Sequence, residues 1–417
     1  MNRGKGMRTG VLLLGVMLFV QGCTPAQHVF QEEPVIQSAK PEVAEASRTL
    51  HLLTSYSYEE GDAGAFEKSR NVNIQRKLTS RSSVEEILAA LDSSNPPDLI
   101  ELDYGQMSGL INFDTFEDLS MPPYNAVEAA NRYFPGLSLE RFRSLKNMKL
   151  VFMPRSLHAG VTFYRADVLK ENGFPSDPEQ LGTYMESSER WLQMTRALAK
   201  KGKRTMQQPT DPFEIYGFTN GFFRSNGSFV RNTNAYIDAL RIARAAYKEQ
   251  LPLGASIWDA AGQEALRSGE LVMFVNGEWA TEQLSEWLPK LADKWQITRL
   301  PFNQYGIISG WVYAIPKQSK NKEAAWAYMQ YQLENEQRYR ASLYSSKWYD
   351  KLAPVYTTPL DAQASAIWDK EIGWRYTTLM TPERVIETIE STIRSELSDQ
   401  LSFFAPHDTN GVHLGNQ

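Results

Sequence analysis

Histidines and carboxylates are the residues of this chain that could carry catalysis or bind a metal. Five histidines occur, of which His28 lies near the N-terminus and His407 and His413 lie near the C-terminus. His51 and His158 remain for the body of the chain, too few for a histidine metal site or a catalytic triad. We therefore expect no metal and no other cofactor.

Acidic residues are abundant, and the pair Glu101 and Asp103 keeps one enzymatic alternative open. Two carboxylates that flank a glycosidic bond are the machinery of glycoside hydrolysis. The chain contains no G-x-S-x-G, P-loop, G-x-G-x-x-G or H-E-x-x-H motif, so the usual hydrolase, nucleotide and zinc-protease signatures are missing. We expect a protein that is not an enzyme.

Cys23 is the only cysteine in 417 residues, and it follows a segment typical of an export signal. A basic stretch, residues 3–8, precedes an apolar run, residues 11–20, that is too short to span a membrane as a helix. The run leads into the sequence VQGC, which resembles the bacterial lipobox. The resemblance implies that residues 1–22 are a cleaved lipoprotein signal peptide and that Cys23 carries a lipid. The alternative is an ordinary secreted protein with an unused thiol.

Charge and composition describe the rest of the chain. Removal of residues 1–22 takes away three basic residues and no acidic one, so the formal charge changes from −5 to −8. An acidic chain does not suit a nucleic-acid partner. Residues 23–47 are rich in Pro, Ala, Glu and Gln, which predicts a flexible tether after the lipidated cysteine. With Cys23 lipidated no disulfide can form, so stability must come from packing.

The body of the chain alternates predicted strands and helices. Residues 49–53 predict a first strand, residues 82–92 an amphipathic helix, and residues 98–102 a second strand after the break at Asn95-Pro96-Pro97. This order predicts a βαβ unit and a parallel sheet. Later helices are predicted over residues 321–339 and over residues 381–401, where Pro382 stands at the first helical position.

Four segments of the body carry motifs. They are residues 96–119 (PPDLI, then GLI and DL), residues 163–173 (FYRADVLKENG), residues 268–279 (SGELVMFVNGEW) and residues 310–326 (GWVYAIPKQSKNKEAAW). In this order they resemble the extracellular solute-binding proteins of ABC importers, specifically the maltodextrin- and oligosaccharide-binding group. The resemblance covers most of residues 50–345 and thins after Trp348.

The resemblance implies an α/β, two-lobed periplasmic-binding-protein-like fold of type II, with a ligand cleft between lobes that are joined by hinge segments. Open parallel sheets bind ligands at the carboxyl ends of their strands. We expect crossings between the lobes near residues 153–159 and 309–314. The implied domains are lobe 1 over residues 48–154 plus 314–360, lobe 2 over residues 155–313 plus 361–405, and a frayed tail over residues 406–417.

The resemblance also implies ligand-binding residues. In the family, the tryptophan that corresponds to Trp279 stacks on a sugar ring, and the alternative is that Trp279 packs the core of the second lobe. Trp311, at the second crossing, is either a cleft aromatic or part of the hinge. Asp103 and Tyr104 follow the second strand, where hydroxyl-binding residues lie in the family, and a loop-capping role is the alternative for Asp103.

Three further candidates are implied in the same way. Tyr56 and Tyr58 follow the first strand. His158 lies where the family often has a sugar-binding carboxylate, and a neutral imidazole offers one donor and one acceptor instead. Weaker candidates lie in a stretch interpreted as loop-rich, namely Glu214, Tyr216 and Asn220.

The implied function is that of a lipid-anchored, extracytoplasmic receptor that captures a sugar or oligosaccharide and delivers it to an ABC permease. Its expected partners are a carbohydrate, the permease transmembrane subunits and, through the lipid, the cell membrane. We expect a monomer and no nucleic-acid partner. Two alternatives stay open: an anchored sensor of the same fold, and a surface carbohydrate-active enzyme.

Overall fold

The computed structural model describes residues 48–56, 63–79, 84–353 and 357–402. The predicted signal peptide, tether and Cys23 lie outside the described residues, as do Tyr58 and the predicted tail. Within the described residues the strands are β1 (Arg48–Thr54), β2 (Val72–Leu78), β3 (Leu99–Asp103), β4 (Met153–Arg165), β5 (Met273–Gly277), β6 (Trp295–Thr298) and β7 (Ile307–Ala314).

The α-helices of the same residues run in chain order. They are α1 (Gly64–Arg70), α2 (Val84–Leu91), α3 (Met107–Leu110), α4 (Ala126–Tyr133), α5 (Ala166–Glu171), α6 (Pro178–Tyr184), α7 (Ser188–Ala199), α8 (Asp211–Gly217), α9 (Asn234–Lys248), α10 (Ala260–Ser268), α11 (Ala280–Trp287), α12 (Lys322–Asn335), α13 (Gln337–Ser342), α14 (Asp361–Arg375), α15 (Pro382–Glu396) and α16 (Ser398–Ser402).

The predicted βαβ unit is confirmed, but the predicted parallel sheet holds only for β1, β2 and β3, because β7, β4, β5 and β6 pair antiparallel. Strand β1 pairs in parallel with both β2 and β3. Helix α2 buries Ile87 and Leu91, as its apolar spacing predicts. Strand β3 is almost wholly buried, which suits a strand covered on both faces.

Two long antiparallel strands, β4 and β7, connect the parallel strands with the rest of the sheet. The order is β2-β1-β3-β7-β4-β5, and β6 also pairs with β4. The pairing sets Asp103 opposite Trp311 and His158 opposite Ser309. These strands contain both predicted crossing segments.

Apolar side chains form two large cores that β4 joins. Met153 and Leu157 of β4 pack in the first core, which also contains β1, β3 and much of β7. Tyr164, farther along β4, packs in the second core with α9 and α14. A smaller third cluster lies around β5, α10 and α11. The exact lobe boundaries stay predictions.

The C-terminal helices belong to the second core. Thr381 caps α15 by accepting a hydrogen bond from the backbone N–H of Arg384, and Pro382 opens the helix, as predicted. Ile386, Ile389 and Ile393 are buried along one face. The helix predicted over residues 321–339 is instead divided into α12 and α13. The division falls at Glu336, whose backbone angles (φ −83°, ψ −2°) depart from those of a regular α-helix.

Candidate functional site

A cavity of about 380 Å³ lies between residues that follow β3 and residues that follow α8. One wall consists of residues 103–105, Met107, Ser108 and Arg141. The other consists of residues 217–222, Arg231 and the first turns of α14. Ile307 and Ile308 of β7 complete the lining. This is where an open sheet is expected to bind a ligand, beyond the carboxyl end of a strand.

Asp103 and Tyr104 line this cavity, and hydrogen bonds hold both in place. The Asp103 carboxylate accepts a hydrogen bond from the backbone N–H of Gly105 at 2.8 Å. A guanidinium nitrogen of buried Arg141 bonds the Tyr104 hydroxyl, and its Nη2 donates to the carbonyl of Ala353 at 3.2 Å. Tyr104 is therefore oriented before any ligand arrives.

The opposite wall is held by Asp361 and Arg231. The Asp361 carboxylate accepts from the backbone N–H groups of Phe222 and Thr358, both at 2.8 Å. Arg231 donates through Nε to the carbonyl of Gly221 at 3.2 Å, and its guanidinium lies 3.4 Å from the centre of the Phe222 ring. Burial raises the pKa of Asp361 and lowers that of Arg231, because burial disfavours the charged form of each.

A second cavity of about 430 Å³ adjoins the first and shares four lining residues with it, namely Gly217, Phe218, Arg231 and Ser365. Its remaining lining comes from α8, the residue before it, and α14, including Glu214, Trp368 and Asp369. Glu214 and Tyr216 thus lie on a helix, and the interpretation of this stretch as loop-rich was wrong for them. Tyr216 is buried and stacks on Phe302, whereas Asn220 lines the first cavity.

Trp311 and Tyr56 contact each other but do not line either cavity. Their ring centres are 5.0 Å apart with an edge-on geometry. The Arg155 guanidinium lies 5.0 Å from the centre of the Tyr56 ring. Both aromatics are half-buried, and Trp311 belongs to β7, one of the two strands that contain the predicted crossings.

His158 lies on β4 beside the crossing and is also outside the lining of both cavities. Its Nδ1 is buried and has no hydrogen-bond partner among the described residues. Burial, together with the nearby charge of Arg155, lowers the pKa of His158 to about 4. The ring is therefore neutral at neutral pH.

Trp279 lies between β5 and α11 in an aromatic cluster at the surface of the third core. Trp258 stacks on it with ring centres 5.6 Å apart and 20° between the planes, and Trp287 meets Trp258 edge-on. Trp258 is 51% exposed. Trp279 lines neither cavity, and one face of its indole is covered by Trp258.

The carboxylate pair considered for catalysis is not arranged for it. Glu101 and Asp103, two residues apart on β3, point to the same side of the strand. Glu101 is fully buried, accepts from Thr54 Oγ1 at 2.8 Å, and pairs with Arg155 at 2.6 Å. Its hydrogen-bonding capacity is used within the core, so it is unsuited to act on a bound glycoside.

Several cavity residues were not singled out from the sequence, including Arg141, Arg231 and Asp361. A lone arginine carries no motif, and Asp361 falls where the family resemblance has thinned. Trp368 is buried and also lines the second cavity. Among the described residues, no group of three or more His, Cys, Asp or Glu could hold a metal. None of the helices in that part of the chain is long and apolar enough to cross a bilayer.

Comparison with known proteins identifies a family for this chain. The profile of a family described as "Bacterial extracellular solute-binding protein" matches residues 63–364. A search of the curated proteins finds no match.

Solved structures of the same architecture extend over nearly the whole chain. The sugar-binding protein MalE from Xanthomonas citri is 17% identical with a TM-score of 0.70, and the match covers 86% of this chain and 100% of that one. The GacH receptor of Streptomyces glaucescens is 17% identical with a TM-score of 0.63, covering 85% and 100%. The galacto-N-biose-/lacto-N-biose I-binding protein from Bifidobacterium longum is 14% identical with a TM-score of 0.63, covering 84% and 97%. At these identities the likeness concerns the fold, and the predicted two-lobed α/β fold is confirmed.

Proposed function

The chain belongs to the family of bacterial extracellular solute-binding proteins, and from this premise we propose that it captures a saccharide in the cleft and delivers it to the membrane subunits of an ABC importer. The family acts outside the cytoplasm and binds solutes without transforming them. The observation that carries the proposal is the cavity between residues 103–108 and residues 217–222.

The chemistry of the cavity walls supports a saccharide. Sugars present hydroxyls that need both donors and acceptors, and C–H faces that pack on aromatic rings. The walls combine the Asp103 carboxylate and the Asn220 amide with the aromatic residues Tyr104, Phe218 and Phe222. The similar structures, whose names refer to binding of a sugar, acarbose and lacto-N-biose, support the same class of ligand.

We assign different roles to the residues predicted from the sequence. Asp103 and Tyr104 would bind ligand hydroxyls directly. Tyr56, Trp311 and His158, near the crossing strands, would act at the edge of the ligand or when the lobes close. Hinge closure around the ligand is the usual motion of two-lobed binding proteins.

The aromatic cluster has its own role in the proposal. Trp258 covers one indole face of Trp279, so stacking of Trp279 on a sugar requires its other face or a displaced Trp258.

Cys23 would hold the protein at the cell membrane through its lipid, and residues 24–47 would act as the tether.

A thermal-shift screen against a glycan panel tests the saccharide proposal. A ligand at 100 times its dissociation constant adds about 2.7 kcal/mol to stability, which is easily measured. We expect Asp103→Asn to weaken binding about tenfold or more, because a hydrogen bond from a ligand hydroxyl to a charged acceptor is lost. Its ligand-free midpoint should stay nearly native, because the amide oxygen still accepts from Gly105.

Two further variants sharpen the screen. Asp92→Asn, an exposed acid outside the cavity lining, is the matched control and should bind normally. Trp279→Ala should weaken binding by roughly thirtyfold if its free face stacks on sugar. No stabilisation by any saccharide would refute the proposal. If Asp103→Asn binds with normal affinity, this cavity is not the saccharide-binding site.

A further inference from the structure

We propose that a basic face beside the first core docks on anionic phospholipid headgroups, so that the body of the protein rests on the bilayer with its ligand cavity uncovered. The basic face consists of residues 112–118, 143–149 and 317–322. The inference goes beyond the proposed function and takes from it only that Cys23 holds the protein at a membrane. It does not depend on which solute the cavity binds.

Basic residues outnumber acidic ones on this face, although the chain as a whole is acidic. The three segments contain six basic and three acidic residues, whereas the formal charge of the chain is −5. The basic residues are Arg143, Lys146, Lys149, Lys317, Lys320 and Lys322. Within the described part of the chain, exposed Lys146 and Lys320 form no ion pair, so their charge is available to a partner.

Hydrogen bonds and ion pairs join the three segments into one surface. The carboxylate of Asp114 accepts from Lys149 Nζ at 2.8 Å and from Lys317 Nζ at 2.6 Å, so one acid is shared by two cations. The Asn112 amide oxygen accepts from the backbone N–H of Leu145 at 2.8 Å. The charges therefore lie on neighbouring loops rather than at scattered positions.

Two exposed apolar side chains accompany the charges. Phe113 is 46% exposed and Met148 is 41% exposed. Met148 has a φ of 56°, an uncommon value for a residue other than glycine. This conformation is held because its N–H donates to the carbonyl of Ser144 at 3.0 Å and its carbonyl accepts from Arg143 Nη1 at 2.8 Å. Apolar side chains among lysines are typical of surfaces that bind the headgroup region of a bilayer.

The tether joins the body next to the basic face. The first strand begins at Arg48, and the carbonyl of Thr49 accepts from Asn321 Nδ2 at 3.1 Å. The 24 residues from 24 to 47 can span at most about 80 Å, even when fully extended. The end of the sheet that carries the basic face is therefore the end attached to the proposed anchor, which favours a membrane over another partner.

The ligand cavity lies at the other end of the same strands. Ala314 at the end of β7 pairs with Ile100 near the start of β3, so residues 317–322 follow at the amino end of β3. The first cavity lies beyond Asp103, at the carboxyl end of β3. Docking through the basic face therefore leaves the cavity free to receive a solute.

Co-sedimentation with lipid vesicles tests the inference. The mature chain, residues 23–417, is used with Cys23→Ala so that no attached lipid contributes to binding. We expect at least about tenfold stronger binding to vesicles of phosphatidylglycerol and phosphatidylcholine in equal amounts than to phosphatidylcholine alone, because a basic residue near an anionic surface adds about fivefold. The preference should be lost as salt rises from about 0.1 M to about 1 M, where the Debye length falls from about 10 Å to about 3 Å.

Matched variants locate the binding surface. Lys146→Gln with Lys320→Gln should weaken binding to the anionic vesicles by about 25-fold, about fivefold for each lysine. Phe113→Ser should weaken it by roughly fivefold, because a half-exposed ring no longer enters the bilayer. Lys248→Gln with Lys290→Gln changes the net charge equally at exposed sites outside the basic face, and should weaken binding by about twofold or less. The unfolding midpoint of each variant is measured, so that a folding defect is recognised.

Three outcomes overturn the inference. They are equal binding to both kinds of vesicle, equal losses in the two lysine pairs, and binding only to vesicles made from whole bacterial membranes with their proteins. The last outcome would assign the basic face to a protein partner. None of them affects the proposed function, because saccharide binding and fatty-acid labelling at Cys23 are measured separately.

Discussion

Replacement of Arg155 tests how the crossing region is stabilised. Arg155 Nη1 lies 2.6 Å from Glu101 Oε1, and Nη2 lies 2.5 Å from Glu336 Oε1. The side chain of Glu101 is 0% exposed and that of Arg155 is 9% exposed. Thr54 gives Glu101 a further bond at 2.8 Å. Arg155→Met keeps most of the apolar volume and removes the cation.

The expected loss of stability is large because a charge remains buried. Removing one partner of a buried pair costs about 3–5 kcal/mol, whereas the pair as a whole contributes little relative to apolar residues. The Thr54 hydroxyl compensates Glu101 only in part, since it is a single neutral donor. We therefore expect Arg155→Met to cost about 3–5 kcal/mol. The double variant with Glu101→Gln should be less destabilised than Arg155→Met alone.

Urea unfolding, followed by both fluorescence and circular dichroism, measures these quantities. A double-mutant cycle then isolates the coupling between Arg155 and Glu101, which we expect to be about 1–3 kcal/mol. Arg241→Met is the control, because Arg241 pairs with Asp238 and Glu383 at half-exposed sites. Exposed pairs contribute about 1 kcal/mol or less. If Arg155→Met costs no more than Arg241→Met, the reasoning is refuted.

Two other predictions concern His158 and Cys23. Because the pKa of His158 is lowered to about 4, the unfolded chain binds a proton that the folded chain rejects, so stability should fall by up to about 3 kcal/mol as pH drops from about 6.5 to 4. His158→Gln should lack this part of the loss in urea unfolding at a series of pH values, and identical pH profiles would contradict the assignment. Cys23→Ala should abolish labelling by a fatty-acid probe in the producing bacterium, and equal labelling of both proteins would disprove the anchor.

Local patterns in the chain were enough to predict several elements. Alternation and apolar spacing predicted β1, α2, β3 and the start of α15, because these elements depend on neighbouring residues. The division of the helix over residues 321–339 was not predictable in this way. Glu336 and Arg340, at that break, turn their side chains toward Arg155, which is distant in sequence.

Some residues of the cavity could be predicted from local sequence and others could not. Asp103 and Tyr104 were predictable as cavity candidates because a strand ends there, and ligands bind beyond strand ends. The opposite wall was not, since Asp361 holds Phe222 across 139 residues of sequence and Arg141 reaches Ala353 across 212. No local period records such bonds. Trp279 shows the same limit of sequence-based prediction. Its motif could be identified in the sequence, whereas its stacking on Trp258 could not.

The class of protein can be inferred from the sequence alone, since ordered motifs and strand–helix alternation persist where identity to solved structures is only 14–19%. Each strand and helix must bury its apolar face, and this requirement fixes the spacing of its apolar residues. The spacing can therefore be recognised within a short stretch of sequence. The set of side chains that meet in the cleft depends on how the chain folds in three dimensions. Tyr104, Asn220 and Asp361 come from three separate parts of the chain, and they line one cavity only because folding brings the end of β3, the end of α8 and the start of α14 together.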